Sequence, residues 1–95
     1  MELTFTGHVI EWRGPAPYYY LPLPEEAAED VHDVRKMATY GWGVIPVSAR
    51  IGDTDFETSL FPKDGGYVVP LRDAIRRAEQ IEVGQTVSLR LSVDV

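Results

Sequence analysis

The sequence predicts a mainly β protein with two helices, folded as a small six-stranded β-barrel, closed or nearly closed, with pseudo-two-fold symmetry and with the helices capping its ends. Three observations lead to this prediction: the chain is short, six segments have strand patterns, and two segments have apolar residues at helical spacing. The order strand, strand, helix, strand occurs twice. Closure into a barrel would remove the exposed edges of such strands. The alternative is an open α+β sheet with both helices on one face.

The first strand pair is expected within residues 2–23. Residues 2–12 alternate between apolar and polar side chains, and Gly7 interrupts the alternation, which is typical of a bulge or bend. Residues 13–17 are rich in glycine and proline and predict a turn, and residues 18–23 form a second extended segment. A hairpin is the simplest connection between the two segments.

The first helix is expected after Pro24, where the apolar period changes to three and four residues. Acidic residues crowd its first turns and Arg35 and Lys36 lie near its end, as the helix dipole favours. The helix should stop within residues 39–43, and residues 44–51 alternate again as a third strand. The apolar stripe of the helix consists of Ala27, Ala28, Val31, Val34 and Ala38.

The second half repeats the order. Residues 55–61 and 67–69 predict strands around a turn, Pro70 marks the start of a second helix, and residues 86–94 alternate cleanly as the last strand. The stripe of this helix consists of Leu71, Ala74, Ile75, Ala78 and Ile81. The sequence therefore predicts one domain over residues 1–95, with a possible internal repeat of about residues 2–52 and 54–94.

Composition restricts the function. The absence of cysteine excludes disulfides and thiolate chemistry, and neither a membrane-spanning run nor a signal peptide is present, so we expect a cytoplasmic protein. The formal charge of -6 disfavours nucleic acid and anionic membranes as partners. His8 and His32 have no partner at metal-ligand spacing, and Ser59 lies in no nucleophile motif. We therefore expect neither an enzyme nor a bound metal or cofactor.

The arginines and aromatic residues are the candidates for binding. Arg72, Arg76 and Arg77 belong to the second helix, where they either form ion pairs with Asp73 or bind an anion or an acidic partner. Arg50 and Arg90 occupy equivalent places in the proposed repeat and either face solvent or pair with carboxylates.

Three consecutive tyrosines begin the second predicted strand. Strand alternation directs Tyr19 inward and makes Tyr18 and Tyr20 surface rings. Aromatic residues that the core does not use are the usual anchors of interfaces. The tentative binding set is Tyr18, Tyr20, Trp42, Arg72, Arg76 and Arg77.

The chain resembles a bacterial family known as domain of unknown function 1905, from about Phe5 to Val93. The matching motifs are Thr58-Ser59-Leu60-Phe61-Pro62, Gly66-Tyr67, Pro70-Leu71, Ile75-Arg76, Val83-Gly84, Trp42-Gly43, Pro46-Val47 and Leu23-Pro24. The resemblance implies a double-split barrel capped by helices, similar to the swapped-hairpin barrels of some antitoxins and transition-state regulators. It implies no established activity.

Together these features predict an interaction or ligand-binding module with an unidentified protein or small-molecule partner and an open oligomeric state. The alternative, which rests on fold analogy and the helix arginines, is a regulatory or antitoxin-like DNA-binding dimer. An enzyme that uses carboxylates and arginines in an unfamiliar geometry is a third hypothesis.

Overall fold

The computed structural model describes residues 1–13, 18–38 and 44–93. Over these residues the chain forms seven strands and two helices, which confirms the mainly β class with two helices. In chain order they are β1 (Glu2–His8), β2 (Ile10–Trp12), β3 (Tyr18–Pro22), α1 (Glu25–Ala38), β4 (Ile45–Ile51), β5 (Thr54–Lys63), β6 (Gly66–Leu71), α2 (Asp73–Ala78) and β7 (Thr86–Val93).

The strands form one antiparallel sheet in the order β1-β7-β4-β5-β6-β3-β2, and the sheet curls into a half-barrel. The first predicted strand is interrupted at Val9, which explains why seven strands are found where six were predicted. At this break the Val9 amide donates to the Gln85 carbonyl at 3.0 Å, and the Gly84 amide donates to the Val9 carbonyl at 2.8 Å. The two outermost strands, β1 and β2, are therefore adjacent in sequence although they lie at opposite ends of the sheet order.

The concave side of the sheet carries the hydrophobic core. Burial alternates strictly along β4 and β7 at their apolar positions, as the period of two predicts. The acidic first turn of α1 is exposed, while its apolar stripe contributes Ala27 and Val31 to the core. The most completely buried large side chains are Leu21, Ile45, Leu60, Leu89 and Leu91. None of the helices in the described part of the chain combines the length and apolar character needed to cross a bilayer.

Gly7 marks a close approach between β1 and β3, which are not hydrogen-bonded neighbours in the sheet. A Cβ atom at Gly7 would lie 3.0 Å from the Pro22 carbonyl oxygen and 3.3 Å from the Cγ and Cδ1 atoms of Leu21. Glycine therefore suits this position because it has no side chain to accommodate. The bulge or bend predicted at Gly7 is not found there, because β1 pairs with β7 in regular register through Gly7 and the strand is interrupted at Val9 instead.

The second helix is shorter than predicted. Pro70 lies within β6 rather than at the helix start, and Leu71 ends that strand. β5 pairs with β6 only as far as Val68, so Pro70 occupies a stretch that β5 leaves unpaired, where a residue without an amide hydrogen is tolerated. Beyond Ala78 the chain leaves the helix, and Gln80 adopts a φ of 52°. Ile81 is still buried in the core.

The prediction that Tyr20 is a surface ring is wrong, because this side chain is only 5% exposed. It lies opposite Ile10 on one neighbouring strand and Pro70 on the other. The centroids of the Tyr18 and Tyr20 rings lie 5.6 Å apart, and the two rings are tilted by 47°. The Lys63 ammonium lies 5.6 Å from the centroid of the Tyr20 ring. Alternation assigns Tyr20 to the face opposite Leu21, but neighbouring side chains cover that face. Tyr18, at 41% exposure, is a surface ring as predicted.

A candidate binding groove between β3 and α2

A groove of about 460 Å³ lies where the beginning of β3, the end of β6 and the first turn of α2 meet. Its walls combine aromatic, apolar and cationic side chains. They include Tyr18, Tyr19, Pro70, Leu71, Arg72 and Arg76. A volume of this size falls within the ~300–1,000 Å³ typical of small-molecule sites.

Strand pairing and a tight helix entry bring these residues together. β3 and β6 are antiparallel, with Tyr19 opposite Leu71. Arg72 has an extended backbone and precedes the helix, and its carbonyl accepts the Arg76 amide at 3.0 Å. The first turn of α2 therefore brings the Arg76 side chain back over the strand that carries Tyr19.

The central contact is the stack of Arg76 on Tyr19. The guanidinium carbon lies 3.7 Å from the centroid of the tyrosine ring, well within the range of a cation–π interaction. Arg76 Nε donates to the Leu71 carbonyl at 3.3 Å, and its Nη2 forms an ion pair with Asp73. Because three groups hold it, the guanidinium has a defined position, and its side chain is only 22% exposed. The ion pair between Asp73 and Arg76 is one of those predicted from sequence.

Tyr19 is also linked to a carboxylate on the neighbouring strand. Glu11 lies directly opposite it in the pairing of β2 with β3, which puts this carboxylate within hydrogen-bonding reach of the tyrosine hydroxyl. Arg13 Nε donates to the same carboxylate at 3.0 Å. The hydrogen bond to Glu11, followed by the negative charge of Glu11, raises the pKa of Tyr19, and Arg76 acts in the opposite direction. The phenol is therefore protonated at neutral pH.

Replacing Glu11 by glutamine is expected to lower the pKa of Tyr19 towards its ordinary value of ~10, because both leading causes of the upward shift depend on the carboxylate. The pKa is measured from the NMR shift of the tyrosine Cζ against pH, with Tyr19→Phe identifying the signal. An unchanged or higher pKa in Glu11→Gln would contradict this account.

The raised pKa of Tyr19 also predicts how the stability of the protein changes with pH. The pKa of Tyr19 is higher in the folded protein than in the unfolded chain. The contribution of Tyr19 to the free energy of unfolding is therefore fully present below pH ~10 and is lost as the pH rises through the folded-state pKa. The free energy of unfolding should fall more steeply in this alkaline range for the wild type than for Glu11→Gln.

The remaining predicted binding residues have different fates. Arg72 lines the groove, and its Nη2 donates to the Glu57 carbonyl at 2.7 Å. Tyr20 is buried next to Tyr18 and is not part of the groove wall, and Arg77 is exposed outside it. Trp42 lies outside the described residues. The structure thus brings together Tyr18, Arg72 and Arg76.

Sequence reasoning assigned Tyr19 to the core and missed its role in the groove. Its ring is half-buried and packs against the core, but it also carries Arg76 and binds Glu11. The signal available was the single acidic residue in the segment IEW, facing a tyrosine-rich strand. Recognising it requires the register between β2 and β3.

The histidines do not add a metal site to this region. His8 Nδ1 lies 3.1 Å from the Thr86 hydroxyl across β1 and β7, and His32 is an exposed residue of α1. Within residues 1–13, 18–38 and 44–93, no three His, Asp or Glu side chains are grouped closely enough to hold a metal ion.

Comparison with known proteins identifies the family of this chain. The curated proteins include no match to this chain. Residues 5–91, nearly the whole chain, match the family described as Domain of unknown function. That range includes Glu11, Tyr19 and Arg76, so the groove lies within the matched region. The chain therefore belongs to the Domain of unknown function (DUF1905) family.

Proposed function

We propose that this protein is a non-enzymatic binding module whose groove between β3 and α2 takes a small organic anion. The ligand class is a carboxylate attached to a flat, apolar body. The observation that carries the proposal is the Arg76 guanidinium, stacked on Tyr19 at 3.7 Å and lining a groove that also contains Arg72. Arginine is suited to carboxylates because its planar fork of donors matches two carboxylate oxygens.

The hydrogen bonds within the protein leave donors for such a ligand. A guanidinium has five N–H donors. Arg76 uses Nε and Nη2 in its contacts with Leu71 and Asp73, and Arg72 uses Nη2 in its contact with Glu57. Two cations against the single carboxylate of Asp73 give the groove a positive balance, in contrast to the acidic chain as a whole.

The other wall of the groove favours an apolar ligand body. Tyr18 is partly exposed, and Pro70 and Leu71 complete the lining. A flat ring can stack against tyrosine, and burial of its apolar surface adds to binding that the carboxylate alone would make weak in water. Charge and shape together thus select an aromatic carboxylate over either a bare anion or a neutral ring.

The protonation state of Tyr19 supports binding rather than catalysis. An effective general base has a pKa near the working pH. Glu11 raises the pKa of Tyr19 instead, and so moves it further from neutrality. In this proposal the protonated hydroxyl orients the ring beneath Arg76 and takes no proton from the ligand.

Benzoate tests the proposed ligand class, with benzyl alcohol as the uncharged compound of similar size. In ligand-observed NMR titrations, benzoate should bind saturably and roughly tenfold or more tightly than benzyl alcohol, because a charge-assisted pair exceeds a neutral hydrogen bond. Arg76→Gln should weaken benzoate binding by about tenfold. Arg77→Gln removes the same charge from the next helix residue outside the groove and should leave binding nearly unchanged.

Two results would contradict the proposal: equal binding of benzoate and benzyl alcohol, or equal losses in Arg76→Gln and Arg77→Gln. Circular dichroism on each variant confirms that the fold is retained. We further propose that nucleic acid is not the partner, since the net charge of -6 opposes it. Binding of mixed-sequence duplex DNA at low salt, lost in Arg76→Gln, would favour the DNA-binding alternative instead.

We also propose that the half-barrel closes into a six-stranded double-split barrel, with β1 and β2 acting as one bent strand. The pairing pattern supports this arrangement and the internal repeat. The bent strand β1/β2 of the first half pairs with β7 and β3, and its counterpart β5 in the second half pairs with the equivalent strands β4 and β6. The pairs β4–β7 and β3–β6 each join two equivalent strands. The close approach of Gly7 to Leu21 and Pro22 is a further support.

A further inference from the structure

A second cationic site lies on the outer face of the sheet, away from the groove. Arg50 on β4 lies directly opposite Arg90 on β7. A surface cavity of about 450 Å³ opens over this pair. Its lining includes Ser48, Arg50, Asp55, Glu57, Arg90 and Ser92.

Two arginines in direct register are an unfavourable pair in isolation, because like charges opposite each other destabilise a sheet. Asp55 and Asp53 relieve part of this repulsion, and Asp53 Oδ1 lies 3.8 Å from Arg50 Nη2. Arg50 Nη1 donates to both oxygens of its carboxylate, at 3.1 and 2.9 Å, and Arg50 Nε donates to the Gly52 carbonyl at 3.1 Å. This contact confirms the carboxylate pair predicted as one alternative for Arg50, and it fixes that guanidinium beside Arg90.

Arg90 is in a different situation. Its neighbours in the same row across the sheet are Arg50 on one side and Thr4 on the other. Glu2 and Glu57 belong to the next row, where they flank the serine pair. Over the described part of the chain Arg90 makes no ion pair, so its charge is available to an external anion.

Hydroxyl groups complete the donor set. Ser48 and Ser92 lie directly opposite each other, two residues along the strands from the arginine pair and on the same face. Both serines line the cavity with Arg50 and Arg90. Two guanidinium groups and two hydroxyls line the same cavity and provide donors in several directions, which suits a tetrahedral oxyanion better than a planar carboxylate.

We propose that the Arg50–Arg90 pair is a binding site for a phosphate group, either as the free ion or as a phosphomonoester. The site is independent of the groove between β3 and α2. Arg90 supplies a guanidinium that makes no ion pair with the described residues, Arg50 supplies a second, already oriented cation, and Ser48 and Ser92 donate to the remaining oxygens.

The test uses the full chain with inorganic phosphate and, separately, O-phosphoserine, each compared with sodium chloride at the same ionic strength. Backbone amide shifts of Ser48, Arg50, Arg90 and Ser92 should change saturably. If both compounds shift these amides, a phosphomonoester is accepted, and if only inorganic phosphate does, the site takes the free ion. Arg90→Gln should weaken binding about tenfold, and Arg77→Gln should not.

Thermal unfolding gives a second, independent readout. Without phosphate, Arg90→Gln should be as stable as the wild type or more stable, since the variant removes the repulsion with Arg50. Phosphate should raise the midpoint temperature of unfolding more for the wild type and Arg77→Gln than for Arg90→Gln. Phosphate stabilises all three proteins by its general effect as a salt, and specific binding adds a further increase only where the site is intact.

The proposal is overturned if no saturable shifts appear at these four residues, or if Arg90→Gln binds phosphate as tightly as Arg77→Gln does. It is also overturned if Arg90→Gln is less stable without phosphate and responds to phosphate like the wild type, because Arg90 would then be structural. Benzoate binding in Arg90→Gln should equal that of the wild type, which separates failure at this site from failure at the groove.

Discussion

Replacing Gly52 by valine is expected to lower the free energy of unfolding by about 2–3 kcal/mol. Gly52 adopts a φ of 57° in the turn between β4 and β5, a conformation that costs a branched residue about 1–2 kcal/mol. A Cβ atom there would also overlap the Glu79 carboxylate. Glu79 would have to move and give up the 2.6 Å hydrogen bond that it accepts from the Thr54 hydroxyl, which costs about 1 kcal/mol more.

Gly65→Val is the matched control for this prediction. Gly65 also has a positive φ, of 81°, but no atom lies within 4 Å of a Cβ built on it. Only the backbone penalty of about 1–2 kcal/mol should appear in this variant. The free energies are measured by urea denaturation. Equal losses at the two glycines would show that the contact between Thr54 and Glu79 does not stabilise the protein.

Replacing Leu21 by alanine is expected to cost about 2–5 kcal/mol, because the side chain is fully buried and its removal leaves a cavity. Val83→Ala is the control. Val83 is 51% exposed, so the change should alter stability by less than about 0.5 kcal/mol. A loss at Leu21 that is no larger than the loss at Val83 would contradict the described core.

The Leu21→Ala variant also tests whether β1 and β3 are in contact. Gly7→Ala alone should destabilise the protein by about 1–3 kcal/mol, because the new methyl group crowds Leu21 and the Pro22 carbonyl. In the Leu21→Ala variant part of that crowding disappears. Adding Gly7→Ala to this variant should therefore cost at least ~0.5 kcal/mol less than Gly7→Ala costs in the wild type. Strictly additive losses would argue against the contact and against closure of the barrel.

Features set by local period were predictable from the sequence. The alternation over residues 44–51 and 86–94 predicted β4 and β7 because every second side chain enters one core. The apolar stripe that includes Ala27 and Val31 predicted α1 because residues three or four apart lie on one face of a helix, and that face packs against the core. In each case a single buried face determines the pattern, so the sequence alone is sufficient.

Features set by contacts between strands were not predictable. Tyr20 obeys the alternation, but its exposure depends on Tyr18 and Lys63, and on partners across two strands. The position of Pro70 inside β6 depends on where β5 stops pairing. These properties are decided by register, which a single sequence does not specify.

The groove illustrates both cases. Tyr18, Arg72 and Arg76 were selected individually, from residue type and expected exposure. Their convergence depends on the pairing of β3 with β6, two strands far apart in sequence, and on the turn from Arg72 into α2. Strand alternation predicts Tyr19 in the core because it gives the face of the sheet on which a side chain lies. It does not distinguish a half-buried ring from a fully buried one.

The most direct test of the proposed binding function is a map of backbone amide shifts in the wild-type chain during titration with benzoate. We expect saturable changes concentrated at the groove, in Tyr18, Tyr19, Leu71, Arg72 and Arg76, with the amides of Ser48 and Ser92 unaffected. Changes centred on another surface, or no saturable change at these residues, would contradict it.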